Sequence, residues 1–354
     1  MANLTGNINI KTIKDFGLQY AIYLVFIVLV MTIAFLEPSF VGIKSSGFHI
    51  SALLENIRNI LSISATRVIF AMGMGAVLIT GGVDLSAGRS IGLAAVVSAS
   101  LLQSADYSRR MYPDLPVLPL IIPILIAMGV CAVWGFINGL VITKLKVPAF
   151  IATLGAMVAI WGANSLYFDR PPYGAQPIGG LDKRFVTLGT GYIGFDGVYS
   201  IPFIVIIAVL VSLITWVLFN KTTYGKNIYA IGGNAEAARV SGVNVTRTLI
   251  IVYTIAGILY GLGGSLEAAR TGGATNSYGT GYELDAIAAC VVGGVSNLGG
   301  IGTVPGIVIG VLIFSVINYG LTFIGMSPYW QQIVKGAIII AAVALDIRKY
   351  LSKR

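Results

Sequence analysis

Two long apolar runs, Ile201–Phe219 and Leu249–Ala268, constrain the fold more than any other feature of the sequence. About 20 predominantly apolar residues are what an α-helix needs to cross the hydrocarbon core of a bilayer. Similar runs recur along the 354 residues, and only 10% of the residues are charged. Because a soluble domain carries about 25% charged residues, the chain is predicted to be an all-α integral membrane protein.

Ten segments are predicted to span the membrane, and together they form a single transmembrane domain over residues 1–354. In chain order these segments are Gly17–Leu36, Arg58–Thr80, Ser90–Leu102, Leu118–Thr143, Ala149–Tyr167, Ile201–Phe219, Leu249–Ala268, Glu283–Gly294, Thr303–Leu321 and Trp330–Ile347. Glycine-rich breaks at 81–88 and 299–302 separate the second span from the third and the eighth from the ninth. These four spans are therefore expected to be short or broken. An even count places both termini on the same side.

Basic residues cluster on one side of this topology. The predicted inner surface carries thirteen basic residues and four acids, namely Lys11, Lys14, Arg89, Lys144, Lys146, Lys221, Lys226, Arg239, Arg247, Arg348, Lys349, Lys353 and Arg354 against Asp15, Asp84, Glu236 and Asp346. The surplus of nine equals the formal net charge of +9. An excess of lysine and arginine marks cytoplasmic loops. The N-terminus (1–16), the segment 220–248 and the tail (348–354) are thus predicted to be cytoplasmic, and the positive charge does not indicate nucleic acid.

The polar segment 220–248 lies between the apolar runs Ile201–Phe219 and Leu249–Ala268. Within it, Ala235–Ser241 is predicted to form a short helix, because Asn234 is a good N-cap and Gly242 is a typical C-terminal stop. Glu236 lies in the first turn, where the helix dipole favours a negative charge. Since the hydrocarbon core tolerates no free helix ends, this helix must lie at a bilayer surface. An ordinary cytoplasmic loop is the alternative on composition alone.

Polar residues at the breaks and inside the spans are candidates for lining a solute pathway or for stabilising the breaks. Asp84 and Ser86 open the third span, where Asp84 as an N-cap is the simpler role. Asn297 offers similar chemistry at the second break, and Asn164 lies within the fifth span. Groups suited to a neutral sugar also occur at other span positions, namely Asn138, Asn318, Tyr319 and Trp330.

Arg67 is a charge inside the second span, where it needs a partner or a watery cavity. Its candidate ion-pair partners are Glu267, Glu283 and Asp285, and the sequence leaves the choice open.

Glycine spacing predicts close helix packing, and one pattern occurs twice. Glycines lie four residues apart, on one helix face, at Gly88/Gly92, Gly135/Gly139 and Gly302/Gly306/Gly310. The stretches GGVDLSAGRSIGLAA, from Gly81, and GGVSNLGGIGTVPGIVIG, from Gly293, both begin with Gly-Gly-Val and continue into a glycine-spaced apolar helix. An internal duplication or chance in a glycine-rich chain explains this likeness.

Sequence motifs for catalysis or cofactor binding are missing. The sequence contains no G-x-x-x-x-G-K-[ST] loop, so ATP, if it drives this protein, must be hydrolysed by another polypeptide. The G-x-G-x-x-G at 189–194 lies in a predicted loop outside any strand–turn–helix unit. With one histidine and two cysteines in apolar runs, no metal or other cofactor is expected. The chain is thus not predicted to be an enzyme by itself.

Several motifs resemble the permease subunit of bacterial ABC sugar importers of the ribose/xylose/galactose class. The matching stretches are LITGGVDLSAGRSIGLAA, FINGLVIT, PAFIATLGAM, TTYGKNIYAIGGNAEAARVSGVNV and ELDAIAACVVGGVSNLGGIGTVPG. The string Glu236-Ala237-Ala238-x-x-x-Gly242 is similar to the EAA loop that docks on a partner ATPase. One departure is that Val243-Asn244-Val245 follows the glycine in place of the Ile-x-Leu-Pro ending of maltose-type permeases.

The resemblance implies the fold of the vitamin B12-type (type II) importer permeases and a place in the bacterial inner membrane. It implies three protein partners: a second copy of the chain, an ATPase with two nucleotide-binding modules that holds the ATP and Mg²⁺, and a periplasmic sugar-binding protein. Galactose, a methyl galactoside or glucose would be the imported sugar. The residues implied to couple to the ATPase are Asn234, Ala235, Glu236, Ala237, Ala238, Arg239 and Gly242.

A secondary transporter or channel for a small polar solute, acting alone, is the competing class. Broken spans and internal repeats occur there too. The EAA-like helix favours the importer, as does the lack of a chain of intramembrane acids and histidines of the kind used by proton-coupled pumps.

Overall fold

A computed structural model of the chain describes residues 26–28, 30–170, 174–194 and 200–351. The predicted N-terminal segment, the start of the first span and the last three residues lie outside this range. The described residues are almost entirely helical, which confirms the all-α prediction. Two short antiparallel ladders, β1 (Ile43–Lys44) with β2 (Gly47–Phe48) and β3 (Tyr192–Ile193) with β4 (Ile201–Pro202), are the strands of this part of the chain.

Thirteen helices, α1 to α13, follow one another in the described part of the chain. Their bounds are Phe26–Leu36, Ile50–Ile79, Ala87–Leu101, Ile121–Lys144, Ala149–Phe168, Lys183–Thr190, Phe203–Lys221, Thr223–Gly233, Ala235–Val240, Val245–Thr271, Tyr282–Val292, Val304–Phe323 and Pro328–Leu351. A 3-10 turn, Pro38–Val41, follows α1.

Six of these helices are long and apolar enough to cross a membrane, namely α2, α4, α5, α7, α10 and α12. The other four predicted spans coincide with α1, α3, α11 and α13. With 15 and 11 residues, α3 and α11 are shorter than a bilayer core, since they rise about 22 and 16 Å against about 30 Å. The prediction of a multi-spanning helical protein with short, broken spans is confirmed, and the count of ten is approximate.

Two compact units make up the chain, Leu54–Ser315 and Met1–Leu53 with Val316–Arg354. The centre of the larger unit is α10, which packs against α3, α4 and α6. Glycines bring α10 and α4 into backbone contact. A Cβ at Gly135 would overlap the carbonyl oxygen of Tyr253, and one at Gly139 would lie 2.7 Å from the Cα of Ile250. Gly261 approaches α4 in the same way from α10.

The other predicted glycine pairs also lie at close contacts. Gly306 and Gly310 of α12 meet the backbone of Gly293 and Ala289. Gly88 of α3 meets the carbonyl oxygen of Gly279 and the carboxylate of Glu283, which lies in the first turn of α11. A Cβ on Gly92 would overlap the carbonyl oxygen of Tyr278, in the irregular segment that joins α10 to α11. Close approach of backbones is therefore confirmed, and at α3 the backbone that approaches is the segment that joins α10 to α11.

Glu267 is a buried acid near the C-terminal end of α10, and its hydrogen bonds join α10 to α2 and α11. It forms an ion pair of 2.7 Å with Arg270 and accepts hydrogen bonds from the hydroxyls of Thr66 on α2 and Tyr282 on α11. The guanidinium of Arg67 lies 6.0 Å from the centre of the Tyr282 ring. Glu267, one of the three predicted partners of Arg67, therefore forms its direct ion pair with Arg270.

In the smaller unit, α12 packs on the region before α2. The side chain of Ile33, on α1, fills the space above Gly320, where a Cβ would collide with it. The ring of Phe40 contacts Tyr319 and Phe323 at centroid distances of 6.2 and 5.6 Å.

A short helix, α6, lies in the stretch between α5 and α7, where the sequence analysis expects only an irregular loop. Asp182 caps it by accepting the amide N–H of Arg184, and the Arg184 guanidinium bonded to this carboxylate lowers the pKa of Asp182. Gly189 allows α6 to lie against the backbone of Ala269 and Arg270. Of the glycines at 189–194, Gly189 is therefore the one at a packing contact with α10.

Candidate functional site

The polar segment 220–248 folds into two consecutive short helices, α8 and α9, before α10 begins. The predicted helix at 235–241 is present as α9, and Asn234 caps it by accepting the amide N–H of Ala237 at 2.9 Å. Gly242 follows with a φ of +88°, a conformation that glycine adopts without strain. The preceding α8 is not predicted from the sequence, although Thr222 is a good N-cap and accepts the amide N–H of Gly225.

The residues of α9 divide into a buried and an exposed side. Ala238 is 5% exposed and packs with Ile231 of α8 and Val245 of α10, so it holds α9 onto its neighbours. On the exposed side Glu236 and Arg239 form an ion pair of 2.8 Å, which contributes little in water. Val240, which the sequence analysis does not single out, is 89% exposed.

Ala238 therefore contacts α8 and α10 rather than lying on the exposed side of α9. A larger side chain there would disturb α8, α9 and α10 themselves before it disturbed a partner. The remaining candidates on the exposed side are Asn234, Glu236, Ala237, Arg239 and Gly242, with Ala235 half-buried.

The C-terminal end of α8 lies directly against the end of α2 and the second break. The Tyr229 hydroxyl donates a hydrogen bond of 2.8 Å to the carbonyl oxygen of Gly302. Burial raises the pKa of Tyr229, so the hydroxyl keeps its proton and remains a donor. A Cβ at Gly232 would overlap the carbonyl oxygen of Ile79 and the amide nitrogen of Gly300. The segment next to α9 therefore touches the end of α2 and the second break at once.

The two breaks with similar sequences also bond to each other. The amide N–H of Gly300 donates to the carbonyl oxygen of Ile79 at 2.8 Å. Gly299 faces the amide of Gly81, which lies 2.8 Å from an ideal Cβ. We call the contact of Tyr229, Gly232, Ile79, Gly299 and Gly300 the break junction.

The first break is held by buried polar groups from three helices. Asp84 accepts hydrogen bonds from the amide and the hydroxyl of Ser86, at 2.9 and 2.6 Å. Asn138 of α4 donates to the Ser86 hydroxyl, and Thr153 of α5 accepts the amide N–H of Leu85. These side chains are at most 2% exposed. Buried and bonded in this way, Asp84 and Ser86 fix the shape of the break.

Asp84 does not cap α3 in the way that the sequence analysis expects. The N-cap position belongs to Ser86, and Asp84 bonds the amide two residues further on, as in an Asx turn. At the second break Ser296 makes the corresponding turn without charge, accepting the amide N–H of Leu298, and Asn297 beside it is half-buried.

Asn164 is buried in α5, and its Oδ1 has no hydrogen-bond partner within the described residues. Its amide nitrogen lies beside α3, 3.8 Å from an ideal Cβ on Gly92.

Arg89, which is predicted to lie on the cytoplasmic surface, contacts α5 and the segment between α10 and α11. It lies in the first turn of α3, donates to the hydroxyl of Thr280 at 3.0 Å, and stands 5.8 Å from the ring centre of Trp161 on α5. Asp84, which is predicted to lie on the same surface, is buried in the break.

Broken helices, closely packed glycine-rich spans and a capped polar helix pair beside the breaks define a multi-pass membrane permease. The comparison with known families agrees. The family described as "Branched-chain amino acid transport system / permease component" matches residues 56–343. The chain belongs to this family of ABC-importer permeases.

Several curated relatives are similar over nearly their whole length. The galactose/methyl galactoside import permease protein of Escherichia coli is 50% identical over 347 residues, which is 98% of this chain and 99% of that protein. Its counterpart from Haemophilus influenzae is 50% identical over 96% of this chain and 98% of that protein. The ribose import permease protein of Bacillus subtilis is 40% identical over 91% of this chain and 90% of that protein. No solved structure matches the chain.

Proposed function

We propose that this chain forms the pathway of an ATP-driven importer for galactose or methyl galactosides, with glucose as a further substrate. The single observation that carries the choice of sugar is the 50% identity to galactose/methyl galactoside permeases across both chains. Ribose permeases are less similar, at 40% identity or below. The polar groups of the described spans suit a neutral hydroxylated solute.

The importer requires partners that supply energy and substrate. An ATPase with two nucleotide-binding modules hydrolyses ATP with Mg²⁺, a periplasmic sugar-binding protein delivers the sugar, and a second copy of this chain completes the pathway. The chain itself hydrolyses no ATP. It resides in the bacterial inner membrane with both termini in the cytoplasm.

We assign ATPase docking to the exposed side of α9, and Val240 gives the sharpest test. An aliphatic side chain that is 89% exposed on a polar segment suits the apolar cleft of a partner. Val240→Asp should leave the fold intact, because the side chain has few contacts to lose. It should weaken co-purification of the ATPase and lower galactose uptake by about tenfold or more.

Ala230→Asp is the matched control for the added charge, since Ala230 is an exposed aliphatic residue on α8 in the same polar segment. It should retain both ATPase binding and uptake. Normal ATPase binding by Val240→Asp would contradict the docking assignment. Galactose uptake by the chain without any ATPase would favour the secondary transporter.

The orientation of the chain in the membrane is tested by cysteine labelling at two positions, one glycine and one asparagine. Gly179 lies in the stretch between α5 and α7, where a Cβ meets no atom within 4 Å, and Asn234 is exposed between α8 and α9. Gly179→Cys should react with an impermeant thiol reagent in spheroplasts, and Asn234→Cys only after permeabilisation. The opposite pattern would overturn the cytoplasmic placement of α9.

A further inference from the structure

The irregular segment between α10 and α11 runs within the depth of the bilayer. Leu102, which directly follows α3, bonds to the stretch between α5 and α7. Its carbonyl oxygen accepts the amide N–H of Asp182 at 2.7 Å. Arg89 lies twelve residues before Leu101, the last residue of α3, which is about 18 Å of helix within a core of about 30 Å. Segment residues Tyr278 and Gly279 lie against the first two turns of α3.

Polar groups of this segment remain exposed at that depth. Ser277 and Thr280 are exposed, and the segment contains three glycines with positive φ, so its backbone is not helical. Lipid cannot satisfy free backbone groups, and irregular backbone is tolerated in a membrane only within protein or beside a water-filled cavity. The exposed side of this segment therefore faces a polar space.

Charged and aromatic groups converge on the same place. The Arg89 guanidinium bonds to Thr280 and lies over the Trp161 ring. The carboxylate of Glu283 lies beside Gly88, where a Cβ would collide with it. A charge this deep faces a partner or water. Trp161 itself is 48% exposed.

We propose that Arg89, Trp161, Thr280 and Glu283 form a sugar-contact subsite on the translocation pathway. An indole face suits the apolar face of a pyranose, Arg89 supplies hydrogen-bond donors, and Glu283 supplies acceptors. The hydroxyl of Thr280 can both donate and accept a hydrogen bond. The ligand class is a neutral, ring-shaped polyol, and the proposal rests on the importer function given above.

Water access to the subsite is tested by cysteine labelling in the complex of this chain with the ATPase. Thr280→Cys should react with a hydrophilic methanethiosulfonate reagent. Leu166→Cys is the control and should not react. Leu166 is 81% exposed on α5, and its side chain faces lipid if Trp161 faces the pathway. The native Cys131 and Cys290 are fully buried, and the unsubstituted chain gives the background. Galactose-loaded binding protein should slow the Thr280→Cys reaction, and binding protein without sugar should not.

Sugar contact is tested by replacing the indole. Trp161→Leu keeps apolar bulk but removes the aromatic face, and Trp161→Phe keeps an aromatic face. The leucine variant should lose about tenfold in maximal galactose uptake while ATPase binding stays unchanged, and the phenylalanine variant should retain most uptake. A lipid-facing tryptophan would tolerate leucine.

Failure to label Thr280→Cys, or full uptake by Trp161→Leu, would overturn the subsite. Absence of galactose uptake by the unsubstituted chain with its ATPase and binding protein would instead overturn the proposed function. The labelling of Thr280→Cys would still report whether the segment faces water.

Discussion

Replacing Gly232 by alanine should abolish galactose uptake, whereas the same change at Gly233 should leave uptake unchanged. A Cβ at Gly232 would overlap backbone atoms of Ile79 and Gly300, which are themselves joined by a hydrogen bond. Backbone cannot move aside as a side chain does, so α8 must leave the break junction. Overpacking of this kind costs about 1–3 kcal/mol or more. At Gly233 a Cβ meets nothing within 4 Å.

The measurement is galactose uptake together with ATPase binding and ATP hydrolysis in the same membranes. Because α9 itself is not altered, Gly232→Ala should still bind the ATPase, so that loss of transport reports the contact of α8 with the breaks. Tyr229→Phe removes only the hydrogen bond to Gly302 and should give a smaller loss in the same direction. Equal uptake by Gly232→Ala and Gly233→Ala would show that the break junction carries no function.

Replacing Gly135 by leucine should prevent the chain from folding, whereas Gly129→Leu on the same helix should have little effect. Gly135 faces the Tyr253 carbonyl at the contact of α4 and α10, and its Cβ has no room. Because lipid removes the hydrophobic driving force between helices, close van der Waals packing is what holds this pair together. A leucine there forces the helices apart, at a cost of roughly 3 kcal/mol or more.

Gly129 is exposed, and an added Cβ meets nothing within 4 Å. Both substitutions improve helix propensity to the same degree, so the difference between them isolates packing. The yield of monodisperse protein in detergent and its thermal unfolding midpoint measure the effect. A Gly135→Leu chain as stable as Gly129→Leu would mean that α4 and α10 are not packed as described.

The local elements were largely predictable from the sequence. Runs of about 20 uncharged residues give the spans because water-free surroundings force each backbone group to bond within its own helix. The helix α9 was predictable because Asn234 and Gly242 mark its ends through hydrogen bonds within a few residues. The glycine spacings predicted close approaches, since a missing Cβ can be recognised without knowing the partner.

The contacts between distant residues came only from the tertiary structure. Ala238 and Val240 are both small apolar residues of α9, and the packing of Ile231 and Val245 alone decides that the first is buried and the second exposed. The contact of Arg89 with Thr280, 191 positions further along the chain, could not be foreseen from the position of Arg89 in the sequence. The break junction joins residues about 70, 150 and 220 positions apart, and sequence periodicity reports only which face a residue occupies on its own helix.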